Sequence, residues 1–178
     1  MGGMQTEFQF KTAYHQEAIM TMAKVLRKTA RKKRSRRSHL LAPLVIALGI
    51  LLTLPLGGRE FVLDLKTVVT WLVVAILFFT LLFEDHINGY FARKRMLPGL
   101  NQATATFRAE GYHSETELGS SEFKYSTILL LAETADYFVF VFSRNHAQVY
   151  DKNSISGGTV EEFREFIKAV TGKEIQTI

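Results

Sequence analysis

Between Arg27 and Arg37, eight of eleven residues are Lys or Arg: Arg27, Lys28, Arg31, Lys32, Lys33, Arg34, Arg36 and Arg37. No further formal charge appears until Arg59, and the stretch from Ser38 to Gly58 is dominated by Leu, Ile, Val, Ala and Gly. A second uncharged run, Thr67 to Phe83, follows almost at once. Adjacent charge-free runs of 21 and 17 residues are hard to bury as core helices in a chain of 178. Each is about long enough to cross a hydrocarbon core, and a dense cationic block before the first is the arrangement that orients membrane helices. The expectation is a multi-pass integral membrane protein built on a two-helix transmembrane hairpin.

The spans are drawn at about residues 40–56 and 67–83. Pro43 is placed in the first turn of the first span, where a missing N–H costs little, and Pro55 with Gly57 and Gly58 closes it. Trp71 falls at interfacial depth in the second, and Lys66 can snorkel to relieve the shortness of the spans. Cations flank both outer ends, the block at 27–37 before and Arg93, Lys94 and Arg95 after. The loop between holds only Arg59 and Lys66, balanced by Glu60 and Asp64, so both termini are expected to be cytoplasmic. Neither span contains an ionisable residue to carry an ion or proton, which disfavours a channel or transporter built from this hairpin alone. Ala47 and Gly49 permit close helix contact. A cleavable signal peptide is a poor fit, because the charged region is too long and no small-residue cleavage site follows.

Composition narrows the chemistry. There are no cysteines, so disulfides, thiolate metal sites and cysteine catalysis are excluded. The net charge of +5 is concentrated before the first span, while the C-terminal part is near neutral to acidic; a local basic patch is supported, a basic surface throughout is not. The block admits three roles. It is a topogenic signal, a contact for anionic lipid headgroups, or a nucleic-acid patch, and the last lacks interleaved aromatics.

Three segments follow: 1–37, an N-terminal strand and amphipathic helix with the basic block; 38–96, the hairpin; and 97–178, a cytoplasmic domain. Thr6 to Lys11 alternates polar and apolar as a half-buried strand does, and Ile19, Met22, Val25 and Leu26 then recur at helical spacing. A lone strand needs a sheet, and the C-terminal domain is its natural recipient. There the pattern reads as short strands at 103–109, 114–118, 123–131, 137–143 and 147–150. Tyr137 to Phe142 is apolar on both faces, as in a central strand covered on each side, or one meeting the bilayer or the N-terminal helix. Thr159 and Glu162 form a T-x-x-E capping box, Val160, Phe163, Ile167 and Val170 make one stripe, and Gly172 ends the helix. The fold class is a membrane α-helical hairpin plus α+β: a small antiparallel sheet with a C-terminal helix, PH-like in outline.

The runs Tyr125-Ser126-Thr127-Ile128, Glu133-Thr134, Tyr137-Phe138-Val139-Phe140, Tyr150-Asp151-Lys152 and Gly157-Gly158-Thr159-Val160-Glu161-Glu162-Phe163 resemble the YcxB-like family of bacterial membrane proteins. The layout of strand, helix, two transmembrane helices and this domain is similar too, so the resemblance extends over nearly the whole chain. It implies a bacterial cytoplasmic membrane location and a tethered relative of bacterial PH-like domains. It implies no assigned chemistry. Two positions depart from the family's pattern, Tyr125 where Trp is common and Asp151 where Pro is.

Catalytic signatures are missing. His15, His39, His86, His113 and His146 show no metal-ligand spacing, and no phosphate-binding loop, dinucleotide fingerprint or nucleophile elbow is found. Glu84-Asp85-His86 is the one dense polar cluster, read as a cation or base site or, more simply, as a solvated helix end. Gly157-Gly158 precedes a helix N-terminus, but Glu161 and Glu162 argue against an anion there. The expectation is a non-enzyme without cofactor: a membrane-tethered binding, adaptor or regulatory module at the cytoplasmic leaflet. Its expected partners are membrane lipids with anionic headgroups, through the eight basic residues, and a protein on the exposed part of 136–150. Nucleic acid is not among them; a second copy of the chain is compatible with the hairpin. The alternative is a structural subunit of a larger membrane assembly, or a small transporter or membrane-enzyme component.

Overall fold

The structure is a computed structural model and describes residues 7–54, 62–94, 96 and 100–178, without the side chain of Arg34. The readings placed on Pro55, Gly57, Gly58, Arg59, Glu60 and Arg95 lie outside the described residues.

Strand β1 (Phe8–Ala13) buries alternate residues, Phe8, Phe10 and Thr12. It pairs antiparallel with β2 (Gln102–Arg108), Phe8 opposite Phe107 and Ala13 opposite Gln102. Strands β3 (Gly111–Thr116) and β4 (Gly119–Phe123) complete a four-stranded meander, β1-β2-β3-β4. A second four-stranded sheet has the order β7-β6-β5-β8, from β5 (Leu130–Glu133), β6 (Tyr137–Val141), β7 (Ala147–Asp151) and β8 (Ile175–Thr177). Its pairs are antiparallel except β5 with β8, which is parallel.

The single antiparallel sheet read from the sequence is thus two sheets, and the single strand at 123–131 is not one strand. A 3₁₀ turn at Tyr125–Thr127 interrupts it and carries the chain from one sheet to the other. The Tyr125 hydroxyl fixes that break by donating to the carbonyl of Arg108 at 2.5 Å and reaching that of Gly111 at 3.2 Å.

The two sheets share an aromatic core. Helix α5 (Val160–Thr171) starts on the Thr159–Glu162 capping box and ends at Gly172, whose φ of 64° is left-handed. Its Phe163 ring centroid lies 4.6 Å from that of Phe10, 5.0 Å from Phe107 and 5.1 Å from Phe138, so α5 touches both sheets. The opposite face of the second sheet is covered by α1 (Gln16–Lys28): Ala18, Val25 and Leu26 pack on Ala132, Val139, Val141, Ala147 and Val149. This accounts for the doubly apolar β6, since Phe138 and Phe140 enter the aromatic core while Val139 and Val141 meet α1. Helix α4 (Glu84–Lys94) lies against α1, with Gly89 facing Met20 so closely that a Cβ would sit 2.6 Å from the Met20 Cγ.

Between α1 and α4 the chain forms α2 (Lys32–Thr53) and α3 (Leu65–Leu82), both long and apolar enough to cross a membrane. Helix α2 begins inside the basic block, so Pro43 is not in its first turn but well within it. There the ring leaves the His39 carbonyl without its helical donor. The two helices meet through Gly49, where a Cβ would stand 2.9 Å from a Val74 methyl. Elsewhere their apolar side chains are bare, Leu52 78 % and Leu65 80 % exposed, which is not the condition of core helices in a soluble protein.

Candidate functional site

The basic block folds as a corner. Helix α1 ends where the N–H and hydroxyl of Thr29 both donate to the Val25 carbonyl, and the Arg31 N–H returns to the carbonyl of Leu26 at 2.8 Å. Three residues later α2 is under way.

The corner divides its cations. Arg27 turns inward and grips Asp85 of α4 with two bonds, Nε to Oδ1 at 2.6 Å and a terminal nitrogen to Oδ2 at 2.7 Å. Those bonds, backed by the charges of Asp85 and Glu84, push its pKa up against a smaller opposing effect of burial. His39 of α2 holds Glu84 at 2.9 Å. The acidic pair at the head of α4 is thus paired with Arg27 and His39 and ties α1, α2 and α4 together. Among the described residues no His, Cys, Asp and Glu group is arranged to hold a metal. His86, the third member, instead lines a shallow apolar groove of about 320 Å³ with Phe79, Phe83, Ile87 and Tyr90.

Arg31 reaches sideways. Its Nε donates to the carbonyl of Arg144 at 2.7 Å and a terminal nitrogen to Asn145 Oδ1 at 3.0 Å, so it holds the loop between β6 and β7. Part of the 136–150 region expected to face a protein is thereby seated on the basic corner. Lys28, Lys32, Lys33, Arg36 and Arg37 are exposed, and no ion pair among the described residues engages them. Of the eight basic residues, two are committed to internal contacts and five face outward; the side chain of Arg34 is not described.

The family-like runs of the C-terminal part perform structural work. Glu133 receives both Lys152, at 2.6 Å, and Arg164 of α5, at 2.7 and 3.0 Å. The Arg164 bonds hold its carboxyl below the usual range, against the opposing effect of burial, with Lys152 adding to the lowering. Lys152 also donates to the carbonyls of Thr134 and Ala135 and lies 5.1 Å over the Phe138 ring. Residues 151–157 seat β1. Gln9 and Ser156 exchange backbone bonds of 2.9 Å, Thr12 accepts from the Asp151 N–H, and Gly157 passes so near the Glu7 carbonyl that no side chain fits. In the aromatic core, the hydroxyls of Tyr112 and Tyr150 both donate to Gln148 Oε1, at 2.6 and 2.5 Å. Burial pushes both phenol pKa values up, so they remain donors. The sequence carried no signal for Arg144 beside Arg31, because that proximity comes from tertiary pairing.

The class so defined is an α+β domain of two sheets and a C-terminal helix, with a pair of exposed apolar helices between its first helix and the remainder. Residues 107–167, about a third of the chain, match the family model described as YcxB-like protein, so this segment is similar to that family. The matched segment contains all the runs named above and is narrower than the whole-chain likeness expected from the sequence. No curated protein matches the chain.

Proposed function

We propose that this is an integral membrane protein in which α2 and α3 span the bacterial cytoplasmic membrane, both termini are cytoplasmic, and the folded domain is a binding module, not an enzyme, held at the leaflet. The observation that carries the reading is the pairing of β1 with β2: the segments before α2 and after α3 belong to one sheet, so an even number of crossings returns the chain to the same side. Five outward cations at the corner between α1 and α2 favour the cytoplasmic side and an anionic lipid surface. The two packed sheets with a C-terminal helix give the domain a PH-like outline, and the polar clusters of the described residues are satisfied internally, which favours binding over catalysis.

Gentle co-purification of the full-length protein from native membranes, with mass spectrometry of bound proteins and lipids, tests this. A stoichiometric protein partner supports an adaptor, and enriched anionic lipid without protein supports a lipid-reading module. Recovery with neither overturns the binding reading.

A further inference from the structure

We propose that the loop between β6 and β7 is a second lipid contact, and that Arg144 joins Lys28, Lys32 and Lys33 in one surface for the anionic phospholipid headgroups of the leaflet that α2 enters. The inference rests on the reading of α2 as a membrane-spanning helix. The loop is set against the corner by Arg31, which bonds to the Arg144 carbonyl and to Asn145. It is also a tight turn, with the N–H groups of Phe142 and Ser143 both directed to the His146 carbonyl and the Asn145 N–H to Ser143 Oγ. The backbone at Arg144 is therefore held in a fixed place beside the corner, with its side chain exposed.

Among the described residues no carboxylate pairs with this surface. The Arg31 guanidinium is bonded to neutral oxygens, and no ion pair among the described residues engages Lys28, Lys32, Lys33 or Arg144. The carboxylates of Glu84 and Asp85 are taken by His39 and Arg27. The distance fits as well. From Arg31 to the first apolar residues near Leu40, a helix along the bilayer normal rises ~14 Å. The headgroup layer covers roughly 5 to 8 Å of that, which leaves the corner within about one Debye length of the lipid charge. Lys28, Lys32, Lys33 and Arg144 are exposed, an arrangement suited to an extended anionic surface.

The test is the preference of full-length protein for spin-labelled phosphatidylglycerol over phosphatidylcholine in mixed vesicles. Arg144→Gln is expected to lower that preference by ~2- to 5-fold, and added salt to erase the difference. Arg31→Gln, which releases the loop, should lower it at least as much, while the paired Lys32→Gln and Lys33→Gln variant lowers it independently. Loss in the lysine variant with no change in Arg144→Gln overturns the loop's role and leaves the corner standing. No change in any variant overturns the lipid reading of the whole basic block. Arg144 is exposed, so an unchanged melting temperature for its variant separates lost affinity from lost fold.

Discussion

Glu133 is the carboxylate on which two of the domain's cations, Lys152 and Arg164, converge. It is 12 % exposed and carries two cations, one of which, Lys152, is as buried as itself. Replacing it with Gln leaves the Lys152 ammonium without its counter-ion, and thermal unfolding should register a loss of about 2–4 kcal/mol. Because folding lowers the Glu133 pKa, its contribution is fully present above the unfolded value of about 4.3 and fades as pH falls through the lower folded value. Wild-type and Glu133→Gln melting temperatures should therefore differ at neutral pH and converge in acid; a constant gap would contradict the pairing. Tyr125→Phe removes one hydroxyl from the carbonyls of Arg108 and Gly111 and should lower stability by about 1–2 kcal/mol in the same assay.

Among the helices, two glycines set the close approaches, and their surroundings predict different tolerance. A Cβ at Gly49 meets only side-chain methyls, Val74 Cγ2 at 2.9 Å and Thr70 Cγ2 at 3.7 Å, and no backbone of α3. One at Gly89 meets Met20 Cγ at 2.6 Å and also its Cα at 3.3 Å, so α1 and α4 must separate. Gly89→Ala should depress the melting temperature clearly more than Gly49→Ala, and equal effects would show that neither crossing is as tight as described. Legibility in the sequence follows the same division between local and distant causes. Helix α5 was readable to its ends, because capping box, stripe and terminal glycine all act within one or two turns. The foot of α2 was misplaced because cationic residues at the head of a helix leave no apolar period to read. The turn at Tyr125–Thr127 was hidden because carbonyls of distant residues hold it, and β8, with three residues, is too short to leave a pattern. Five of the basic residues could be read as outward-facing; the inward roles of Arg27 and Arg31 depend on partners 58 and 113 residues away.

At the scale of the molecule, the domain cannot be cut at the apolar helices. Strand β1 supplies Phe8 and Phe10 to the aromatic core, and α1 covers one face of the second sheet. A fragment of residues 100–178 is expected to lack dispersed amide NMR signals and to be digested rapidly by protease, whereas the same fragment fused to residues 1–30 should resist. The absence of cysteine permits a direct test of sidedness. Single cysteines at Lys24 and Ser143 should react with an impermeant maleimide from the same side of sealed vesicles, and one at Gly58 from the other. Labelling of Lys24 and Ser143 from opposite sides would refute the proposed topology. The β1–β2 pairing also orders events during synthesis. The first strand leaves the ribosome with no partner and must wait while both apolar helices are made, since its neighbour begins at Gln102. On the proposed topology the domain closes only when the chain has returned to the compartment where it began, so a molecule with one helix left uninserted is also one with an open core, exposed to the proteases that clear misassembled proteins.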